Sequence, residues 1–259
     1  MKSRRLLILA GALVLVLALL FKAPAALVYG LLLPKDRALP VQLYGVDGSL
    51  LDGSVAGVVL NGRTLLADLR WTLNPLALLA GRASLTLSTG KEPILLDGAV
   101  SRSVLGSTRV SDLRLNSALR PLAAAIGYPF IPVDGQIGLE LTSLSATGTR
   151  ITAAEGNAQL VGLVWALGAN PAPLGDFRAD LANEGDDIVA RLASVSGPLE
   201  LTGEARLLPD QSYTTDIRIK PKPEAPPIVQ NMLRQLGQPD PQGFYQLRRS
   251  GSLQPAGAP

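Results

Sequence analysis

The sequence predicts a mainly β protein: an N-terminal transmembrane helix, then an antiparallel, meander-like twisted sheet with a few short helices. Three observations predict it. Apolar residues recur at every second position through the body of the chain. Glycine and proline are abundant, at 26 and 20 of 259 residues, as many turns between short strands require. The longest uncharged apolar stretch lies at the start of the chain.

The elements follow in order. Lys2, Arg4 and Arg5 precede Leu6–Phe21, sixteen apolar or small residues without a charge. Lys22 interrupts, and Ala23–Leu33 is uncharged again. A spanning helix needs about 20 residues, so Lys22 would snorkel to the headgroups while the following residues complete the passage. The basic cluster keeps the N-terminus cytoplasmic and sends everything after the anchor outward. A cleaved signal peptide ending near Ala23-Pro24-Ala25 is the competing reading. The length of the apolar run, and its continuation through Leu27, Val28 and Leu31, favour an uncleaved anchor. Residues 1–33 are thus stub and anchor, and 34–40 form a linker.

Beyond residue 40 the period is two. Ala83, Leu85 and Leu87 alternate with polar residues, as do Ile137, Leu139 and Leu141. Leu199, Leu201, Ala205 and Leu207 repeat the pattern, and so do Tyr213, Thr215, Ile217 and Ile219. Strands with one dry and one wet face look like this. Val58–Leu60 and Val161–Trp165 are apolar at successive positions, which predicts cover on both faces or a helix packed there. The Asx-Gly pairs at Asp47-Gly48, Asp52-Gly53, Asn61-Gly62, Asp97-Gly98 and Asp134-Gly135 predict hairpin turns, as does the run from Asn183 to Asp187. Short helices are expected at Pro75–Ala80, Ser117–Ile126 and Pro227–Leu236, the last two followed by Gly127 and Gly237. Trp71 and Trp165 each follow a strand-like stretch, and each is expected to plug the end of a sheet. Their surroundings echo one another, as do Val46-Asp47-Gly48 and Val133-Asp134-Gly135, which points to two related halves, 41–132 and 133–253. Residues 254–259 read as a flexible tail.

The composition closes off most chemistry. With no cysteine and no histidine, a His-based triad, a Cys nucleophile and a Cys/His zinc site are impossible. Removing the four bases of residues 1–33 from the total of 24 leaves 20 against 21 acids, a net charge of −1 for the remainder. The body therefore has no basic stripe for nucleic acid. No phosphate loop or nucleophile elbow is present. The acids are scattered, and the one adjacent acidic pair after the linker, Asp186-Asp187, reads as a turn rather than a calcium loop. No catalytic, cofactor-binding or metal-binding residue is assigned, and no cofactor is expected.

Several stretches carry a family resemblance. They are the basic start with its apolar anchor, Tyr44–Gly53, Trp71–Leu76, Trp165, Leu233–Asp240, Gly243–Tyr245 and Gly251–Leu253. In this order and over nearly the whole chain they resemble protein N of the bacterial type II secretion system. The resemblance implies a single-pass inner-membrane protein with a β-rich periplasmic body. It implies an accessory, non-catalytic part in exporting folded proteins through an outer-membrane secretin. Expected partners are the secretin and the inner-membrane component C. A second reading is an apolar β groove that binds or transfers lipid, similar to AsmA-like envelope proteins. A third, a calcium-assisted envelope hydrolase, needs an acidic cluster that the sequence does not display.

Overall fold

The computed structural model describes residues 41–253 apart from 61–62, 126, 129 and 168–169. The anchor, the linker, Asn61-Gly62 and the tail lie outside the described residues.

Among the described residues thirteen strands follow one another. They are β1 (Val41–Gly48), β2 (Asp52–Leu60), β3 (Arg63–Leu73), β4 (Arg82–Lys91), β5 (Ile94–Ser103), β6 (Ser107–Ala118) and β7 (Val133–Thr147). Then come β8 (Arg150–Trp165), β9 (Ala172–Glu184), β10 (Asp187–Ser196), β11 (Leu199–Leu207), β12 (Ser212–Pro221) and β13 (Tyr245–Ser252). Spatial order equals sequence order, so the sheet is one antiparallel meander with β1 and β13 at its edges. The expected fold class of the body is observed. The division at 132/133 falls between β6 and β7, which are themselves paired from Ser107↔Thr147 to Ala118↔Gln136.

Because neighbours are antiparallel, the sheet has two distinct ends. Odd-numbered strands begin at what we call the entry end, where β1 starts, and finish at the far end. Helix α1 (Pro75–Leu79) lies at the far end between β3 and β4. Helices α2 (Leu119–Ala125) and α3 (Pro227–Arg234) both lie at the entry end. All three occur where the sequence predicts helix. Ser117 and Ala118, expected to be helical, instead finish β6, because Ser117 is buried and its Oγ donates to the carbonyl of Pro93 at 3.1 Å. No helix among the described residues is long and apolar enough to cross a membrane.

Three expectations need correction. Asp97-Gly98 and Asp134-Gly135 are not hairpin turns; each sits inside a strand, at a register shift in β5 and β7. A Cβ on Gly98 would come within 2.9 Å of Leu113 Cα, so the glycine serves close strand approach rather than reversal. Val161 is not covered on both faces but half exposed. The pairing of β8 with β9 jumps from Leu160↔Phe177 to Leu163↔Gly175, and Gly162 takes φ +63° there. This bulge turns Val161 outward. The expected turn at Asn183–Asp187 does form, with 185–186 between β9 and β10.

Candidate apolar groove

The second half of the sheet, β7 to β13, is closed at each end by a different device. At the entry end the closure is α3. Pro227 opens the helix, and Val229 and Leu233, one turn apart, are its buried residues. They join Ala172 and Leu174 of β9, Leu199 of β11 and Tyr245 of β13 in the main buried cluster. Val133 of β7, Leu163 and Trp165 of β8, Phe177 and Ile219 pack around it. Residues from β7 and from β13 meet in one cluster only if the intervening strands curl.

At the far end the closure is one side chain. Gln211, in the loop between β11 and β12, is 2% exposed. Its Oε1 accepts from Ile151 N at 2.9 Å, and its Nε2 donates to Ile151 O at 3.0 Å. The start of β8 is thereby joined to a loop three strands away. Leu253 N also donates to the Gln211 carbonyl at 2.9 Å, tying in the end of the last strand. Gln211 has φ +66°, a conformation that a non-glycine residue holds only when its surroundings enforce it.

Beside this closure lies an apolar concavity of about 290 Å³. Every strand of the second half or its adjoining residue contributes, including Leu144, Ile151, Leu181, Ile188, Leu207 and Tyr213, with Leu253 just past β13. That volume is at the lower limit of small-molecule sites, which run about 300–1,000 Å³. Period-two alternation builds most of the lining: Ala205 and Leu207 face it and Glu204 belongs to the charged side of the same strand, while Arg206 borders both.

The opposite side is held by ion pairs. Arg206 reaches Glu204 at 2.8 Å, Glu184 at 3.0 Å and Asp187 at 3.1 Å, and Arg191 also engages Glu184. Arg206 holds the Glu184 carboxyl below its ordinary value, while the surrounding carboxylates raise the guanidinium further. Asp216 is held low by hydrogen bonds from Gln246 first and Arg248 second. Asp240 is held low first by the Phe244 backbone N–H and then by Arg218, 2.7 Å away. Arg218 also lies over the Phe244 ring, 4.6 Å from its centroid. Asp176 accepts from Ser196 Oγ and from Gly162 N, and both hold it low. These carboxylates brace neighbouring strands. Among the described residues no group of three could hold a metal ion. Asp187, singled out in the sequence, opens β10 as one of the partners of Arg206.

The two tryptophans sit at opposite ends. Trp71 is near the far end of β3, where its Nε1 donates to Leu50 O at 3.2 Å and its ring fills the space beside Gly53. Trp165 closes β8 at the entry end against the α3 cluster. Each fills a sheet end, as expected. Their echoing sequences lie on strands that run in opposite directions, so the echo is not matched by equivalent placement.

Comparison with known proteins identifies the chain. Residues 40–248 match the family described as "Type II secretion system (T2SS), protein N". A type II secretion system protein N from Aeromonas hydrophila is 31% identical over 243 residues, 91% of this chain and 93% of that protein. The chain belongs to the protein N family of the type II secretion system. A second protein N, from Vibrio cholerae, is 26% identical over 82% of this chain and 85% of its own length. No solved structure matches. The family places the chain among the components of type II secretion. The protein N resemblance read from the ordered motifs is therefore correct. Those motifs supply Leu233, Trp165 and Tyr245 of the α3 closure, whereas Gln211 lies outside them.

Proposed function

We propose that this chain is an accessory inner-membrane component of the type II secretion apparatus. Its N-terminal segment crosses the membrane once, with the N-terminus cytoplasmic and the body periplasmic. The body, read as two regions meeting at 132/133, acts as a non-catalytic scaffold supporting export of folded proteins across the outer membrane. The secretin and the inner-membrane component C are its partners. The observation that carries this reading is the combination of protein N membership with a basic, apolar start and a sheet whose gathered charges are spent on bracing strands. The test is a clean deletion followed by assay of type II substrates in the medium. Secretion should fall and return on complementation; secretion at the parental level would overturn the reading.

A second reading has its own observation, the apolar concavity beside the Gln211 closure. An apolar lining drawn from β7 to β12, with Leu253 just past β13, suits a stretch of acyl chain. Mass spectrometry of the purified full chain should then find phospholipid bound in stoichiometric amount. Its absence would remove the lipid reading and leave the scaffold reading untouched.

A further inference from the structure

We propose that the entry end of the first half, β1 to β6 with the connection that follows α2, rests on the membrane interface, with Tyr128 and Phe130 set among the lipid headgroups. The inference builds on the single-span anchor proposed above.

Nine aromatic side chains have a described environment, and three of them are exposed: Tyr44, Tyr128 and Phe130. Phe130 is 92% exposed and Tyr128 is 66% exposed. Tyr44 belongs to β1, the strand into which the anchor leads. Tyr128 and Phe130 lie between α2 and β7, also at the entry end. The other six aromatics, including both tryptophans, are at least half buried. In a chain with only 4% aromatic residues, wet aromatic surface among the described residues is thus confined to the end of the sheet nearest the anchor. Amphipathic rings at headgroup level are the ordinary furniture of a membrane boundary.

Geometry gives the same answer. Seven linker residues, 34–40, span at most about 25 Å, so the start of β1 is held close to the bilayer. Helix α2 packs against β3 as well as β6 and β7. Because β3 lies two strands from β1, roughly 10 Å across the sheet, the connection after α2 stays near the tether. The Tyr128 backbone N–H donates to Ala123 O at 2.8 Å, which fixes the connection to the helix as it leaves. Arg120, half exposed on α2, forms an ion pair with Asp134 at 3.4 Å, which ties the helix to the start of β7 beside the connection.

A rival apolar patch exists at the far end. Leu76 and Leu79 of α1 are exposed, as are Val104 and Leu105 in the next turn, which the Val104 N–H to Gly81 O bond places beside α1. The eleven residues of β3 put that patch about 36 Å from the entry end, beyond the reach of the linker.

The chain has no cysteine, so single-cysteine variants label one site each. Phe130→Cys, Tyr128→Cys and Leu105→Cys in the full chain are labelled with an environment-sensitive fluorophore. They are reconstituted in vesicles of phosphatidylethanolamine and phosphatidylglycerol carrying headgroup spin labels. Emission at 128 and 130 should shift to the blue and be quenched, with the label at 105 unaffected. Equal wetness at all three sites, in protein that resists alkaline extraction, overturns the docking and leaves the anchor standing. Quenching at 105 alone, or protection of 130 only when another secretion protein is added, also overturns it. Release of the chain by alkali overturns the anchor itself, and the docking with it.

Discussion

The two halves of the sheet are built from the same strand chemistry and stabilised differently. In β7–β13 an amphipathic helix fills one end, Gln211 pins the other, and the main buried cluster lies between α3 and the strands. In β1–β6 the helix at the far end, α1, has no buried residue; Leu79 is 76% exposed. Asn74 caps it through Oδ1 to Leu76 N and Ala77 N, so α1 owes its shape to local bonds rather than to packing. Period-two alternation gives a strand a dry face without saying what will cover it. In the second half the chain supplies the cover itself. In the first half part of the dry surface is left for the surroundings.

Each half carries one tryptophan, so single-tryptophan chains, Trp165→Phe and Trp71→Phe, read the two regions separately. The largest effect is expected from Leu233→Ala, which empties the centre of the α3 cluster and should cost about 2–5 kcal/mol. Urea unfolding followed at Trp165 would register that loss, while Trp71 should respond later. Identical transitions at both sites would mean that the halves unfold as one unit, and the comparison would collapse.

Gln211→Ala comes next. It leaves both backbone groups of Ile151 without their partners and should cost about 1–3 kcal/mol, again read at Trp165. Acid provides a third contrast. Every carboxyl group displaced from its ordinary value among the described residues, Asp176, Glu184, Asp210, Asp216 and Asp240, belongs to the second half. All are displaced downward. Their contribution is therefore complete above the ordinary carboxylate range near 4 and is lost as pH falls through their folded values. Between pH 5 and 2, Trp165 emission should report loosening before Trp71 does. The smallest effect belongs to Leu79→Ala, within about 0.5 kcal/mol on the same urea curve.

Much of this was legible in the residues. Alternation located β4, β7, β11 and β12, and proline followed by an apolar stripe located α3. The glycine pairs were read less well. Asp47-Gly48 and Asp52-Gly53 do flank a reversal, but Asp97-Gly98 and Asp134-Gly135 mark register shifts, because a missing Cβ at Gly98 serves close strand approach and the φ of +153° at Gly135 serves a bulge as well as a turn. The far-end closure could not be read at all. A glutamine in the run Pro209-Asp210-Gln211 looks like solvent-facing turn, and its partner lies 60 residues away. Such a bond depends on how far the strands from β8 to β11 curl, a property of the sheet and not of any window of sequence. The apolar concavity was foreseen only as one use of a dry face, since its depth is set by the same curvature.

Strict sequential order has a further consequence. Each strand finds its mate in the segment made just before it, so contact order is low and pairing need not wait for distant parts of the chain. A polypeptide emerging N-terminus first could therefore zip into place hairpin by hairpin, its newest ribbon always the growing rim. The last steps would be the packing of Tyr245 against α3 and the bond from Leu253 N to the Gln211 carbonyl, both of which wait for the thirteenth strand.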